Sequence, residues 1–280
     1  MKPSAKKKPV LIRIARLSLI TISVIYLAMA VGCSVFQRSF LYFPTHDSLA
    51  TMQRMAQSVG FVPWTNAAGE RIGWKRLSPL QPSGGEILIT HGNGGAAFHR
   101  VDYARPLRDA ARLDVYILEY PGFGDRAGEP SQKSLFDAAE DAFQSMPRRA
   151  PVYLLGESLG TGVAAFLAGR HSAEVSGVLL FAPYNNLDDV AQYHVRILPA
   201  RWLMHDHFRS EEFLQSYRGP LAIVVGGNDR VIPSKYGRRL FDGYKGPKRL
   251  WEIPDAGHNT LQPATAEFWR EIETFLSSNR

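Results

Sequence analysis

A serine, an acid and a histidine, each just after a β-rich run, are the residues of this chain whose types and spacing could do chemistry. Ser158 stands in "LLGESLGTG" (154–162), between the apolar run "PVYLLG" and the helix-like "LGTGVAAFLAGR". Glycine two positions before and two after it, Gly156 and Gly160, would relieve crowding on a tight strand-to-helix turn and leave the hydroxyl exposed. A serine held that way attacks carbonyl carbon, but only with a base to take its proton and a third group to orient the base. His258, in "IPDAGHNTL", follows the last β-rich run, and Asp229, in "LAIVVGGNDRVIP", follows the run before it. Asp188 and Asp189, after "GVLLF", are the fallback acids, although such a pair can simply cap a helix.

The negative charge that develops on a carbonyl under attack needs N–H donors. The amide of Leu159, at the opening of the helix, is one candidate. The second should come from the Gly-rich "THGNGG" (90–95), with the amide of Asn93 the first choice and that of Gly94 the next. The same glycines could belong to a phosphate loop, but no Gly-Lys-Ser/Thr follows them and no G-x-G-x-x-G opens the helix. His91 reads as structural in its turn. "HDH" at 205–207 has two histidines two apart and no further ligand at useful spacing, so surface residues are expected there and no metal. Nothing in the chain calls for a metal or an organic cofactor.

These residues need a scaffold that brings strand ends together. "FVPWT" and "RIGWKRL", separated by "NAAGE", read as an antiparallel hairpin. Six further runs, "EILIT", "VYILE", "VYLLG", "GVLLF", "LAIVV" and "RLWEI", are nearly continuous in Val, Ile and Leu, the pattern of parallel strands covered on both faces. Helical patterns at 98–112, 132–146, 159–170, 235–243 and 260–277 alternate with them, which makes the fold class α/β with a mostly parallel central sheet. The stretch from about 184 to 219 is too long and too rich in aromatic residues for an ordinary crossover. A short lid over a site is expected there, with a decorated connection as the alternative.

With 280 residues and 45% hydrophobic composition, one main domain is expected at 61–280. The net charge of +7 is local: seven basic residues and no acid precede position 41, which leaves 26 basic against 26 acidic residues in the rest. A neutral body carries no basic stripe for nucleic acid, and no nucleic-acid partner is expected. Residues 1–36 join a cationic stretch to the apolar "LITISVIYLAMAVGC", the order of an export signal, and 37–60 would link it to the fold. Ala30-Val31-Gly32-Cys33 resembles the bacterial lipobox, in which the cysteine is lipidated after cleavage. Leu17–Phe36 is also long enough to remain as an uncleaved anchor. Either outcome puts the body on the far side of the membrane, in the bacterial cell envelope, since the cationic flank stays inside. A soluble secreted product is the third possibility.

Together these motifs make the chain resemble the α/β-hydrolase superfamily, in particular its membrane-anchored serine-hydrolase branch of lipases and acyl-protein thioesterases. The similarity runs from about Phe40 onward through "LYFP", "THGNGG", "EYPGFGDRAGEPS", "GESLGTG", "APYNNLDDV", "GGNDRVIP" and "IPDAGHN", in order. The order Ser158, Asp229, His258 is the one this superfamily uses. One departure stands out: relatives commonly have Tyr-Arg-Gly-Tyr-Gly followed closely by Ser where this chain has Tyr120-Pro121-Gly122-Phe123-Gly124-Asp125-Arg126, which alters a loop beside the site. The resemblance implies an envelope-tethered serine hydrolase that cleaves lipid-like acyl esters or thioesters through an acyl-enzyme. A non-catalytic scaffold of the same fold and a serine peptidase are the rival functions.

Overall fold

After a Lys-rich start the chain runs into a largely apolar segment whose apolar residues fall on every side, and it forms one long helix, α1 (Lys7–Leu41). β1 (Phe43–Pro44), α2 (Leu49–Ser58) and the hairpin β2 (Val62–Thr65) to β3 (Arg71–Arg76) follow. This is a computed structural model, and it describes residues 7–79, 83–103, 106–107, 112–261 and 265–278. The six apolar runs become β4 (Gly85–Thr90), β6 (Leu113–Leu118), β7 (Val152–Glu157), β8 (Val175–Phe181), β9 (Leu221–Gly226) and β10 (Lys248–Ile253). A two-residue strand, β5 (Gly94–Gly95), lies in the Gly-rich loop and pairs with β1.

The main sheet has the order β10-β9-β8-β7-β4-β6-β3-β2. It is parallel from β6 to β10, and β3 and β2 add antiparallel strands at one edge. Alternation along each strand sorts its side chains into two cores. Leu88, Leu180 and Ile223 join one core with α3 (Gln132–Gln144) and α4 (Leu159–Arg170). Ile87, Leu179 and Val224 join the other with α2 and the C-terminal helix (Ala266–Ser278). Covered faces explain why these runs are apolar without a break. The expected mostly parallel α/β architecture is the one observed.

The stretch 184–219 is folded as α5 (Leu187–His194), α6 (Ala200–Leu203) and α7 (Ser210–Phe213), and α8 (Ser234–Gly243) joins β9 to β10. The expected helix at 98–112 begins as a 3-10 turn, Ala97–Arg100. Residues 101–103 and 106–107 continue it as helix, and 104–105 and 108–111 lie outside the described residues. The helix expected from 260 is instead a 3-10 turn, His258–Thr260, and then α9 (Ala266–Ser278), with 262–264 outside the described residues. Along α1, residues 10–29 are exposed on all sides and the helix first buries a side chain at Ala30. The uncharged run Leu17–Phe36, which follows Arg13 and Arg16, spans ~30 Å as a helix, the thickness of a bilayer's hydrocarbon core. The segment 37–60 carries the end of α1, β1 and α2, and it buries Tyr42, Met52 and Ala56.

Candidate active site

Parallel strands point their C-terminal ends the same way, so the loops after β4, β7, β9 and β10 meet at one edge of the sheet. Ser158 occupies the turn after β7 with φ 52° and ψ −120°, a conformation that costs energy for any residue with a Cβ. Its N–H donates to the Phe181 carbonyl of β8 at 2.9 Å, and the Thr161 hydroxyl donates to its carbonyl at 2.6 Å. A Cβ at Gly160 would lie 2.1 Å from the Thr90 carbonyl oxygen, and one at Gly156 would lie 2.7 Å from the Gly160 carbonyl oxygen. Only glycine allows the turn to sit this close to β4.

The Ser158 Oγ lies 3.0 Å from Nε2 of His258, and Nδ1 of His258 lies 2.7 Å from Oδ2 of Asp229. The other carboxylate oxygen of Asp229 accepts the amides of Val231 and Ile232, each at 2.8 Å. The Asp229 side chain is 1% exposed and that of His258 13%, so the carboxylate is dry while the imidazole still reaches the site. A carboxylate is acceptor-only, so Nδ1 of a neutral His258 carries the hydrogen and Nε2 is left to accept the serine proton. The fallback acids are engaged elsewhere. Asp188 accepts from His207 at 2.8 Å, and Asp189 pairs with Arg201 at 2.7 Å. Within "HDH", His205 is exposed and contacts Ser34, while Asp206 is buried against Arg38 and Tyr42.

Leu159 opens α4, where first-turn amides have no acceptor within the helix. Asn93 and Leu159 line the same cavity as Ser158, about 320 Å³ in volume. The Gly-rich loop is held from outside: Phe43 donates its N–H to the Asn93 carbonyl at 2.8 Å, and Asn93 Nδ2 donates to the Leu41 carbonyl at 2.8 Å. Arg100 is a residue that sequence reasoning missed. It donates to the Gly94 carbonyl at 3.2 Å and forms an ion pair with Glu157, which ties the loop to the serine turn. Its one signal in sequence was a charged residue a short way past the Gly-rich loop, where the pattern read only as the start of a helix.

Behind the loop, His91 is fully buried against Tyr120 and Phe123 and contacts its neighbour's carbonyl, that of Gly92, at 2.8 Å. Burial pushes the His91 imidazole down to about 3 and the nearby Glu119 carboxyl up to about 7. Glu119 Oε1 accepts the Ala97 amide at 3.0 Å and lies 3.7 Å from His91 Nε2. Burial thus works against the charged form of both groups, and they shape the loop from behind. Cys33 lies on α1, half-buried, and lines the cavity together with Gln37, Phe40 and Leu41. Leu187, Val190, Leu203 and Met204 close the cavity from the 184–219 side.

The family model described as serine aminopeptidase, S33, matches residues 81–210, a span that contains Asn93, Ser158 and Leu159 and stops before Asp229. The uncharacterized protein Rv2307c of Mycobacterium tuberculosis is 31% identical over 229 residues, 80% of each chain. The chain belongs to the α/β-hydrolase superfamily. This α/β-hydrolase is also similar to the lysophosphatidylserine lipase ABHD12 of Danio rerio, 30% identical over 200 residues. That similarity covers 64% of the present chain and 52% of the lipase, about half its length. Among solved structures, the esterase Pf2001 of Pyrococcus furiosus superposes with a TM-score of 0.63 over 85% of this chain and 98% of its own, at 16% identity. That likeness is one of fold.

Proposed function

We propose that this α/β-hydrolase is a serine hydrolase that cleaves carboxylic esters or thioesters of lipid-like acyl groups through an acyl-enzyme on Ser158. The observation that carries this reading is the continuous hydrogen-bonded series Ser158–His258–Asp229, opening on an apolar cavity. As Oγ bonds to the carbonyl carbon, Nε2 of His258 takes the hydroxyl proton, and the imidazolium is stabilised by Asp229. The amides of Leu159 and Asn93 receive the oxyanion. Collapse of the tetrahedral intermediate expels the alcohol or thiol, which leaves with the proton from His258. Water, deprotonated by the same nitrogen, then attacks the acyl-enzyme, and the acid departs as Ser158 regains its proton.

The similarity to the Danio rerio lysophosphatidylserine lipase supports a lipid ester as substrate. An aminopeptidase, the activity in the family description, would need an anion for the substrate's amino terminus. Among the described lining residues of the cavity none is acidic. Tethering rests on α1, which fits a membrane anchor by length and composition. Retention of the whole helix is favoured by Tyr26, upstream of Cys33, whose hydroxyl donates to the Ile197 carbonyl at 3.2 Å. The cationic flank would stay in the cytoplasm and the hydrolase body would face outward.

The direct test is labelling with a fluorophosphonate followed by turnover of an ester and thioester series. Wild type should take up one phosphonyl group at Ser158, and Ser158→Ala should fold, take up none and lose turnover. A Ser158→Ala protein that still hydrolyses the series at the wild-type rate would sink the proposal.

A further inference from the structure

The cavity at Ser158 is built partly from the helix that the sequence sets apart from the catalytic body. We infer that the last turns of α1 form one wall of the acyl pocket, and that a long acyl group on Ser158 lies along α1 toward Cys33. The inference deepens the serine-hydrolase reading and rests on it.

Three observations point the same way. Cys33, Phe40 and Leu41 present apolar surface to the cavity from α1, and Leu203 and Met204 face it from the stretch that holds α6. The two walls are fastened together. Gln37 uses both ends of its amide on that stretch, donating to the Leu203 carbonyl at 3.1 Å and accepting the His205 amide at 2.6 Å. The Ser34 hydroxyl donates to the Leu203 carbonyl at 3.2 Å, and Arg38 and Tyr42 both reach the buried carboxylate of Asp206, at 3.2 and 3.0 Å. A contact that satisfies backbone groups and a buried carboxylate at once is a structural joint, because loss of α1 from this face would leave the buried Asp206 carboxylate without Arg38 and Tyr42.

Direction is the third observation. Beyond Cys33 the same helix continues toward its N-terminus through residues 17–29, uncharged and with apolar side chains exposed all round, the segment suited to lie in hydrocarbon. Cys33 is the lining residue of α1 nearest in sequence to that segment, so an acyl chain that runs past it would reach Ser158 from the bilayer without crossing water. Head groups and alcohols gain nothing from such a wall. The substrate class that fits is an unbranched long-chain acyl ester or thioester held in a membrane, and α1 acts as a specificity element as well as a tether. Each further methylene buried against this wall should raise kcat/KM about fourfold until the cavity is full.

Cys33 is the single cysteine of the chain, so a thiol reagent reports on this wall alone. The full-length protein in detergent micelles is treated with an ethyl or a dodecyl fluorophosphonate, the adduct is verified by intact mass, and N-ethylmaleimide is then added. The dodecyl adduct should slow maleimide labelling of Cys33 at least about tenfold and the ethyl adduct should leave it near the untreated rate, since thiol reactivity follows access. Equal labelling after both adducts overturns the inference. Absence of any adduct is seen in the mass spectrum before maleimide is added, and it overturns the serine assignment together with this inference. In a second measurement, Cys33→Trp should lower the ratio of long-chain to short-chain kcat/KM about tenfold or more, because the indole occupies the end of the pocket. An unchanged ratio in a variant that still takes the ethyl phosphonate overturns the inference as well.

Discussion

Replacement of Asp229 by asparagine should disable the site through the tautomer of His258, with little effect on the fold. Asp229 Oδ1 accepts two backbone amides, from Val231 and Ile232, each at 2.8 Å, and Oδ2 receives Nδ1 of His258 at 2.7 Å. In Asp229→Asn the amide oxygen must stay on the side of the two N–H groups, because an NH₂ there would face two donors. The NH₂ then points at His258. Nδ1 can meet that donor only as an acceptor, so the ring hydrogen moves to Nε2, the atom 3.0 Å from Ser158 Oγ that should accept a proton. The base is lost with the geometry intact, and kcat should fall about 10⁴-fold, or about 5.5 kcal/mol. Asp229→Ala differs: it strands the two amides and should cost about 1–3 kcal/mol of stability for each. The assay is ester turnover and fluorophosphonate labelling rate, run beside urea melts. Asp229→Asn within tenfold of wild-type kcat would refute the tautomer reasoning, and collapse of Asp188→Asn or Asp189→Asn in its place would move the acid.

Gly160→Ala puts a methyl group 2.1 Å from a carbonyl oxygen of β4, so the serine turn must shift, with a loss of about 1–3 kcal/mol in urea melts and a larger relative loss of turnover; wild-type values for both would contradict the close approach. Burial pushes Glu119 up to about 7 from its ordinary 4.5, so the folded protein keeps a proton that the unfolded chain releases. That stabilisation is full below the unfolded value and is lost as pH rises through about 7, about 3 kcal/mol in all. Glu119→Gln should flatten the fall in urea midpoint between about pH 5 and pH 8, and parallel curves would count against the burial effect. Intact mass of wild type should begin at or near Met1 without lipid, and the protein should resist salt extraction; a chain that starts at an acylated Cys33 would instead establish the lipoprotein route.

The fold was legible because its information is local. Continuous Val, Ile and Leu runs call for strands covered on both faces, helical patterns between them call for parallel crossovers, and both appear in the sheet from β6 to β10. Ser158, Asp229 and His258 were each legible as residues that follow a strand, and a parallel sheet gathers such residues at one edge whatever lies between them. Arg100 was not legible. Its partner Glu157 is 57 residues away, and no period or turn signal links a charge after one strand to an acid before the next helix.

By itself, the sequence determined the α/β class, the strand-end placement of Ser158, Asp229 and His258, and the presence of an apolar N-terminal helix, since each follows from spacing and polarity within a short window. Tertiary structure alone decided what that helix touches. Apolar residues fall on every side of α1, so no stripe marks the face that will pack, and Tyr26 meets Ile197 across 171 residues of sequence. The 184–219 stretch likewise shows apolar residues without naming their partner. Only folding brings the two together at Gln37, Leu203 and Asp206 and places Cys33 on the cavity of Ser158. Local pattern says which surfaces must leave water; which surfaces they leave it against depends on long-range geometry that no short window of sequence contains.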